Sequence, residues 1–229
     1  MNVISEFFSQ YDGLQAFRTT VYLTLLSALF ALIIGTVVAV MRVSPIRVLQ
    51  IIGAGYVNIV RNTPLTLVIV FCNLGLFLQL GLALANKNSD TFINDNNFRL
   101  AVLGLSVYHA SFVAEAIRSG VNTVPLGQAE AARAIGLPFL KTLWYVVLPQ
   151  AFRGAIAPLG NVLIALTKNS TVASVIGVTE ASAVMKVMME NRPDVIFVVF
   201  GIFAVGFVIL TLPVGVLFTS MSKRLAVKR

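Results

Sequence analysis

The chain has 229 residues, 58% of them hydrophobic and only 11% charged, with a formal net charge of +8 and a mean hydropathy of +0.90. A soluble domain carries about a quarter of its residues as charges, so this composition excludes an ordinary water-soluble enzyme and indicates a polytopic membrane protein. The cations flank the apolar runs and form no block interleaved with exposed aromatics, which argues against nucleic acid as a partner.

The opening MNVISEFFSQYDG has no basic segment ahead of an apolar core and reads as mature sequence, not a cleaved signal peptide. A first span is expected over 20–41, an uncharged run of the about 20 residues that a hydrocarbon core about 30 Å thick requires. The segment from Pro45 to Val60 is apolar but short, with Arg47 and Arg61 near its ends, and reads as an interfacial elbow. Its GAG, 53–55, suits helix packing. A second span is expected over 64–85, with Thr63 as its cap and Pro64 as its first helical residue. Cys72, the one cysteine, lies in that run, so no intrachain disulfide can form.

A third span is expected over 100–117, with His109 and Glu115 inside it. Glu115 and Arg118 are spaced i, i+3, which fits either a local ion pair or a gate. His109, the only histidine, fits a packed, hydrogen-bonded helix position better than a ligand.

The stretch 119–153 is too polar and too interrupted to cross a bilayer. Thr123 and Pro125 predict the start of a short helix, which Gly136 ends. Pro138 predicts a second short helix ended by Pro149. Ala129, Ala132 and Ile135 would share a face of the first piece, with Glu130 and Arg133 turned elsewhere. Small residues on one face suit docking in a groove of another protein; the residues alone favour an amphipathic connector on the membrane surface.

A fourth span is expected over 155–178, broken at LTKNST, and a fifth over 195–217. A lysine at membrane depth costs roughly 2.5–3.5 kcal/mol, so Lys168 should face a cavity or a partner. Asn169, Ser170, Thr171 and Ser174 beside it would satisfy backbone groups freed by a break that lines the translocation path. The competing reading has Lys168 snorkelling to the interface or paired with Glu180. NST at 169–171 matches a glycosylation acceptor but lies at membrane depth and is discarded.

Five spans place the termini on opposite sides. With the C-terminus in the cytosol, the inner segments hold Arg42, Arg47, Arg61, Arg118, Arg133, Lys141, Arg153, Lys223, Arg224, Lys228 and Arg229. The outer segments hold Arg18, Lys87, Arg99, Lys186 and Arg192. That excess of inner cations orients the chain with its N-terminus outside and the 119–153 loop in the cytosol. The whole of 1–229 is thus expected to form a single all-α membrane domain.

No catalytic set, metal-ligand cluster or Walker A loop is present, so neither enzymatic chemistry nor ATP hydrolysis is expected of this chain. A stand-alone secondary transporter would show paired repeats with matching broken helices and acids at membrane depth, of which only Glu115 and one interrupted segment are visible.

Glu130-Ala131-Ala132, Gly136, then Val146, Leu148 and Pro149 resemble the EAA loop of permease subunits of ATP-binding-cassette importers, with Val146 in place of isoleucine. SFVAEAIRSGVNTVPLGQAEAARAIGL, 111–137, is similar to the polar amino-acid permeases, as are RNTPLTLVIVF, 61–71, with Asn62 for glycine, and LTKNSTVASVIGVTE, 166–180. The RNTP variant and NDNNFRLAVLG look most like actinobacterial glutamate-importer permeases. The resemblance implies a type I importer permease fold in a bacterial cell membrane. It implies a coupling helix on which a cytosolic ATPase dimer docks through Gln128, Glu130, Ala131, Ala132, Gly136, Leu148 and Pro149. It further implies a second permease subunit, identical or homologous, and an extracytoplasmic binding protein that delivers an amino acid. No cofactor is implied here, since ATP is bound by the partner subunit.

Overall fold

The computed structural model describes residues 3–225. The counted cations Lys228 and Arg229 lie outside the described residues. Every regular element among them is helical: α1 (Val3–Ser9), α2 (Gly13–Val43), α3 (Arg47–Arg61), α4 (Leu65–Val70), α5 (Phe92–Val121), α6 (Leu126–Ala134), α7 (Phe139–Thr142), α8 (Leu148–Asn169), α9 (Ala181–Asn191) and α10 (Ile196–Leu225). Among the described residues, four helical runs are long and apolar enough to cross a membrane: Gly13–Val43, Phe92–Val121, Phe139–Ile176 and Pro193–Leu225. A fifth crossing arises if α3 and the helix from Leu65 to Gln79, bent against each other by 102°, count as one span.

α5 is the central post: 72% of its apolar stretch is buried within the chain, against 11% for α10. Small residues allow the close crossings this requires. A Cβ on Gly120 would stand 3.1 Å from Ala155 Cβ and run into the Ala151 carbonyl, so α5 and α8 cross backbone to backbone there. Tyr56 Oη donates to Val107 O at 2.6 Å and seats α3 on α5. Near its start α10 packs through Phe203, which stacks on Phe17 at 5.6 Å and meets Phe7 edge-on at 5.4 Å; near its end Phe218 lies against Gly160 of α8. Much of its other apolar surface is exposed, as expected of a helix bathed in lipid.

Several sequence-level boundaries move. Thr63 does not cap α4: its Oγ1 donates back to Ile59 O at 2.8 Å, closing α3, while Pro64 stands in extended backbone and α4 begins at Leu65. After Val70 the helix widens into π geometry over Phe71–Gln79 and stops there, short of Ala85. Gly81, at φ +67°, turns the chain, and the amides of Gly81 and Leu82 close on Phe77 O and Leu76 O. The following apolar backbone is not helical because α5 satisfies it: Leu84 N donates to Asn96 Oδ1 at 2.8 Å, and Arg99 donates to Leu84 O.

LTKNST does not break its span. The α8 run tightens into a 3₁₀ helix over Ser170–Ile176 and ends at Gly177. The Ser170, Thr171 and Ser174 hydroxyls each donate to the carbonyl three residues back, which favours the tighter turn. Pro149 ends nothing either. It sits in the first turn of α8, directly after π-helical Leu143–Val147, whose wider turn makes room for a proline ring and its missing N–H. The second short piece is therefore the beginning of the long α8 run.

Candidate functional site

Three polar constellations stand out against the apolar frame. The first is α6. Pro125, in extended backbone, precedes it; Thr123, expected as its cap, instead donates to Gly120 O at 2.7 Å and finishes α5. The helix ends at Gly136, φ +89°, with Gly136 N donating to Arg133 O and Leu137 N to Ala132 O. These two bonds fix a left-handed turn in which a side chain is strained.

The small face of α6 turns inward. Ala132 is buried, and Ala129 packs on the core cluster that holds Leu143, Val147 and Leu148. Ile135 leaves that face because the helix has already ended at Ala134, and it stands 80% exposed, as does Leu126. Of the residues expected to meet a partner, Gln128, Glu130, Ala131, Gly136 and Pro149 are exposed, whereas Ala132 and Leu148 belong to the interior. The Gln128 and Gln150 side-chain amides bond each other and tie α6 to α8. Trp144 and Tyr145 stand exposed nearby, as aromatics do at the edge of a bilayer.

The second constellation joins α5 to α8. His109, 1% exposed, bonds Leu105 O at 3.0 Å through Nδ1 and Asn169 Nδ2 at 3.2 Å through Nε2. With the proton on Nδ1, Nε2 accepts from the asparagine, and both bonds are satisfied by a neutral ring. Lys168, next in chain, is exposed, and among the described residues no carboxylate lies within 4.0 Å of it. Glu180 does not pair with it. That carboxylate is wholly buried and caps α9, accepting from the amides of Ser182 and Ala183 at 2.9 Å each, while burial pushes its pKa up. Ser170 is buried with its hydroxyl spent on Thr167 O; Asn169, Thr171 and Ser174 remain partly open.

The third is centred on Glu115. Arg118 reaches it at 3.4 Å, as the i, i+3 spacing predicts. Its principal partner is Arg42 of α2, bonded to Oε1, and Arg61 of α3 stands 4.0 Å away. Sequence reasoning had given Arg42 and Arg61 only a topological role. The one available signal is an acid inside an apolar run with cations at the ends of the neighbouring runs. The Arg61 guanidinium also lies over the Phe112 ring, 5.2 Å from its centroid.

The family model described as "Binding-protein-dependent transport system inner membrane component" matches residues 31–227. The chain is 58% identical over 216 residues to the glutamate transport system permease protein GluC of Corynebacterium glutamicum, covering 94% of this chain and 95% of that one. It is 33% identical over 221 residues to the probable glutamine ABC transporter permease protein GlnM of Bacillus subtilis, with the same coverage. Among solved structures, an amino acid ABC transporter crystallised with histidines superimposes with a TM-score of 0.80 at 26% identity, over 98% of this chain and 99% of that one.

Glu115→Gln removes the only negative charge among three guanidiniums, and hydrogen bonds to charged groups contribute about 1.5–3 kcal/mol net. The thermal midpoint of the purified protein is expected to fall by about 2–4 °C per kcal/mol lost. Adding Arg42→Met should restore part of the loss, since it removes the most buried unpaired cation. An unchanged midpoint in the single variant would show that the cluster contributes nothing to folding.

Proposed function

The chain belongs to the family of inner membrane components of binding-protein-dependent transport systems, and from that membership we propose that it forms the translocation path of an ATP-driven glutamate importer. The observation that carries the substrate is the 58% identity, across nearly the whole of both chains, with a glutamate transport system permease. A second permease subunit, identical or homologous, completes the path, and an external binding protein delivers the amino acid. The permease itself contributes no hydrolytic chemistry; ATP is held by a cytosolic ATPase pair.

α6 is the coupling helix. Its exposed surface offers two apolar side chains, Leu126 and Ile135, with Glu130 between them. A carboxylate there can form a charge-assisted hydrogen bond to a basic group on the ATPase. Force applied to α6 reaches two spans at once. Four residues, Asn122 to Pro125, link it to α5 through a turn in which Thr123 closes on Gly120 O, and the Gln128–Gln150 bond fastens it to α8. Movement of the ATPases thus shifts α5 and α8 together as a rigid pair, switching access between the two sides.

Leu126→Asp and Ile135→Asp are expected to release the ATPase from the purified complex and reduce uptake of labelled glutamate to background, with the permease still inserted in the membrane. Gly136→Val should do the same by straining the turn that aims α6. Ala132→Leu is different: the residue is buried, so it should lower the stability of the permease itself. Wild-type ATPase retention and uptake in both aspartate variants would make α6 a passive connector.

Lys168 supplies a cation to the path, with Asn169, Thr171 and Ser174 beside it. Lys168→Met should leave the complex assembled and strongly reduce uptake, while ATP hydrolysis stimulated by the loaded binding protein survives in part. Uptake at the wild-type rate would remove Lys168 from the path.

The orientation follows from the inner excess of cations. In a Cys72→Ala background, Ser89→Cys should react with an impermeant thiol reagent applied to intact cells, and Ser222→Cys only after lysis. The opposite pattern would invert the protein and place α6 outside.

A further inference from the structure

α5 is buried along most of its length, yet Tyr108, Phe112 and Glu115, spaced i, i+4, i+7, form a stripe that stays partly open. The last turn of α3 brings Arg61 over this stripe, against the Phe112 ring. Between them lies a cavity of about 310 Å³ lined by Val57, Asn58, Arg61, Asn62 and Phe112. Small-molecule sites begin at about this size, roughly 300 Å³, which leaves room for a ligand as small as an amino acid.

The charge around the cavity is unbalanced. Glu115 is the only carboxylate within 4.0 Å of Arg42, Arg61 or Arg118 among the described residues, so three cations share one anion. Arg42 bonds it directly and Arg118 is closer to it than Arg61 is. Arg61 is therefore the least compensated of the three, and its side chain is 44% exposed. A guanidinium presents planar paired donors that match a carboxylate with two parallel bonds. The Asn62 amide donates to Asn58 O at 2.7 Å, leaving its oxygen open, and the Asn58 side-chain amide has no partner among the described residues. Two amide oxygens are suitable neighbours for an ammonium group.

From this geometry we propose that the Asn58–Arg61–Asn62–Phe112 cavity binds the α-carboxylate and α-ammonium of the transported amino acid, with Arg61 as the contacting cation. The inference rests on the importer reading above. The cavity lies on the part of α5 that leads into the α6 loop. Phe112 is three residues, about 4.5 Å, beyond His109, whose partner Asn169 adjoins Lys168. Lys168 and Arg61 then form successive stations for one anion, on elements that meet α5 at His109 and at Phe112. The groups read here belong to the backbone end of an amino acid, so this station does not select the side chain.

A lipid phosphate is also an oxyanion, and the test must separate the two sources. Tyr108→Cys, a partly open position beside the Phe112 ring but outside the cavity lining, is introduced in the Cys72→Ala background, and the full chain, with the subunits that accompany it, is placed in nanodiscs without ATP. One set contains phosphatidylcholine alone and the other adds phosphatidylglycerol; labelling by a soluble maleimide is timed in both. L-Glutamate at about ten times its dissociation constant should slow labelling about tenfold, by one-site occupancy, in both lipid compositions. Putrescine, an amine without a carboxylate, should not. Arg61→Gln and Asn62→Asp should each abolish the protection. If Arg61→Gln does not assemble, as judged by size-exclusion chromatography, Asn62→Asp decides, since that exposed side chain bonds only within its own helix end. No protection by glutamate, protection by phosphatidylglycerol alone, or protection that survives Asn62→Asp overturns the proposal. Uptake of labelled glutamate by the same cells separates the two readings: uptake without protection removes this station only, whereas no uptake removes the importer reading itself.

Discussion

The Glu115 carboxylate fixes α3 against α2 and α5, a junction that apolar burial alone would leave loose. α3 buries only Gly53 and Val57, too little surface to fix a helix that leaves α2 through a turn and meets α4 at 102°. Polar ties take over. Arg42 from α2, Arg61 from α3 and Arg118 from α5 converge on Glu115, and Tyr56 bonds a carbonyl of α5. Gly53 belongs to the same arrangement, because a Cβ there would approach Arg42 Cγ to 2.8 Å and obstruct the arginine's course. The cluster carries more positive than negative charge, so it attracts anions as well as bracing the elbow.

Much of this architecture is legible in the sequence, because membrane insertion imposes a one-dimensional code of apolar length and flanking charge. The runs at 20–41, 100–117 and 195–217 all lie inside longer helices. Gly136 is readable as a helix end because its left-handed turn needs a residue without Cβ. What the pattern misses depends on partners distant in sequence. The apolar stretch after Gln79 resembles a helix until Asn96 and Arg99 are seen to satisfy its backbone. Arg42 lies 73 positions from Glu115, and no spacing rule connects them. Ala132 is a small residue on a short amphipathic helix, and periodicity cannot say whether that face meets a partner or the protein's own core.

The polar residues at membrane depth follow a common rule: most are occupied by nearby backbone. Thr20, Thr24, Ser106 and Thr167 each donate to a carbonyl four residues back, so these hydroxyls add little to the cost of burial. His109 is satisfied on both nitrogens. Against that background Lys168 and Arg61 differ, since each keeps a positive charge accessible on an open surface. An apolar scaffold that satisfies most of its buried polar groups leaves these two cations as conspicuous features.

The π-helical turn at Leu143–Val147 has a geometric consequence for the loop as a whole. Relative to a regular α-helix, a π turn contains one additional residue, and each residue rotates the chain by about 100° about the helix axis. The azimuth of everything upstream of Leu143, as seen down α8, is therefore set by a residue count and not by the strength of any contact. A protein that shed this single extra residue could keep every span and every apolar surface, and still aim α6 in a different direction.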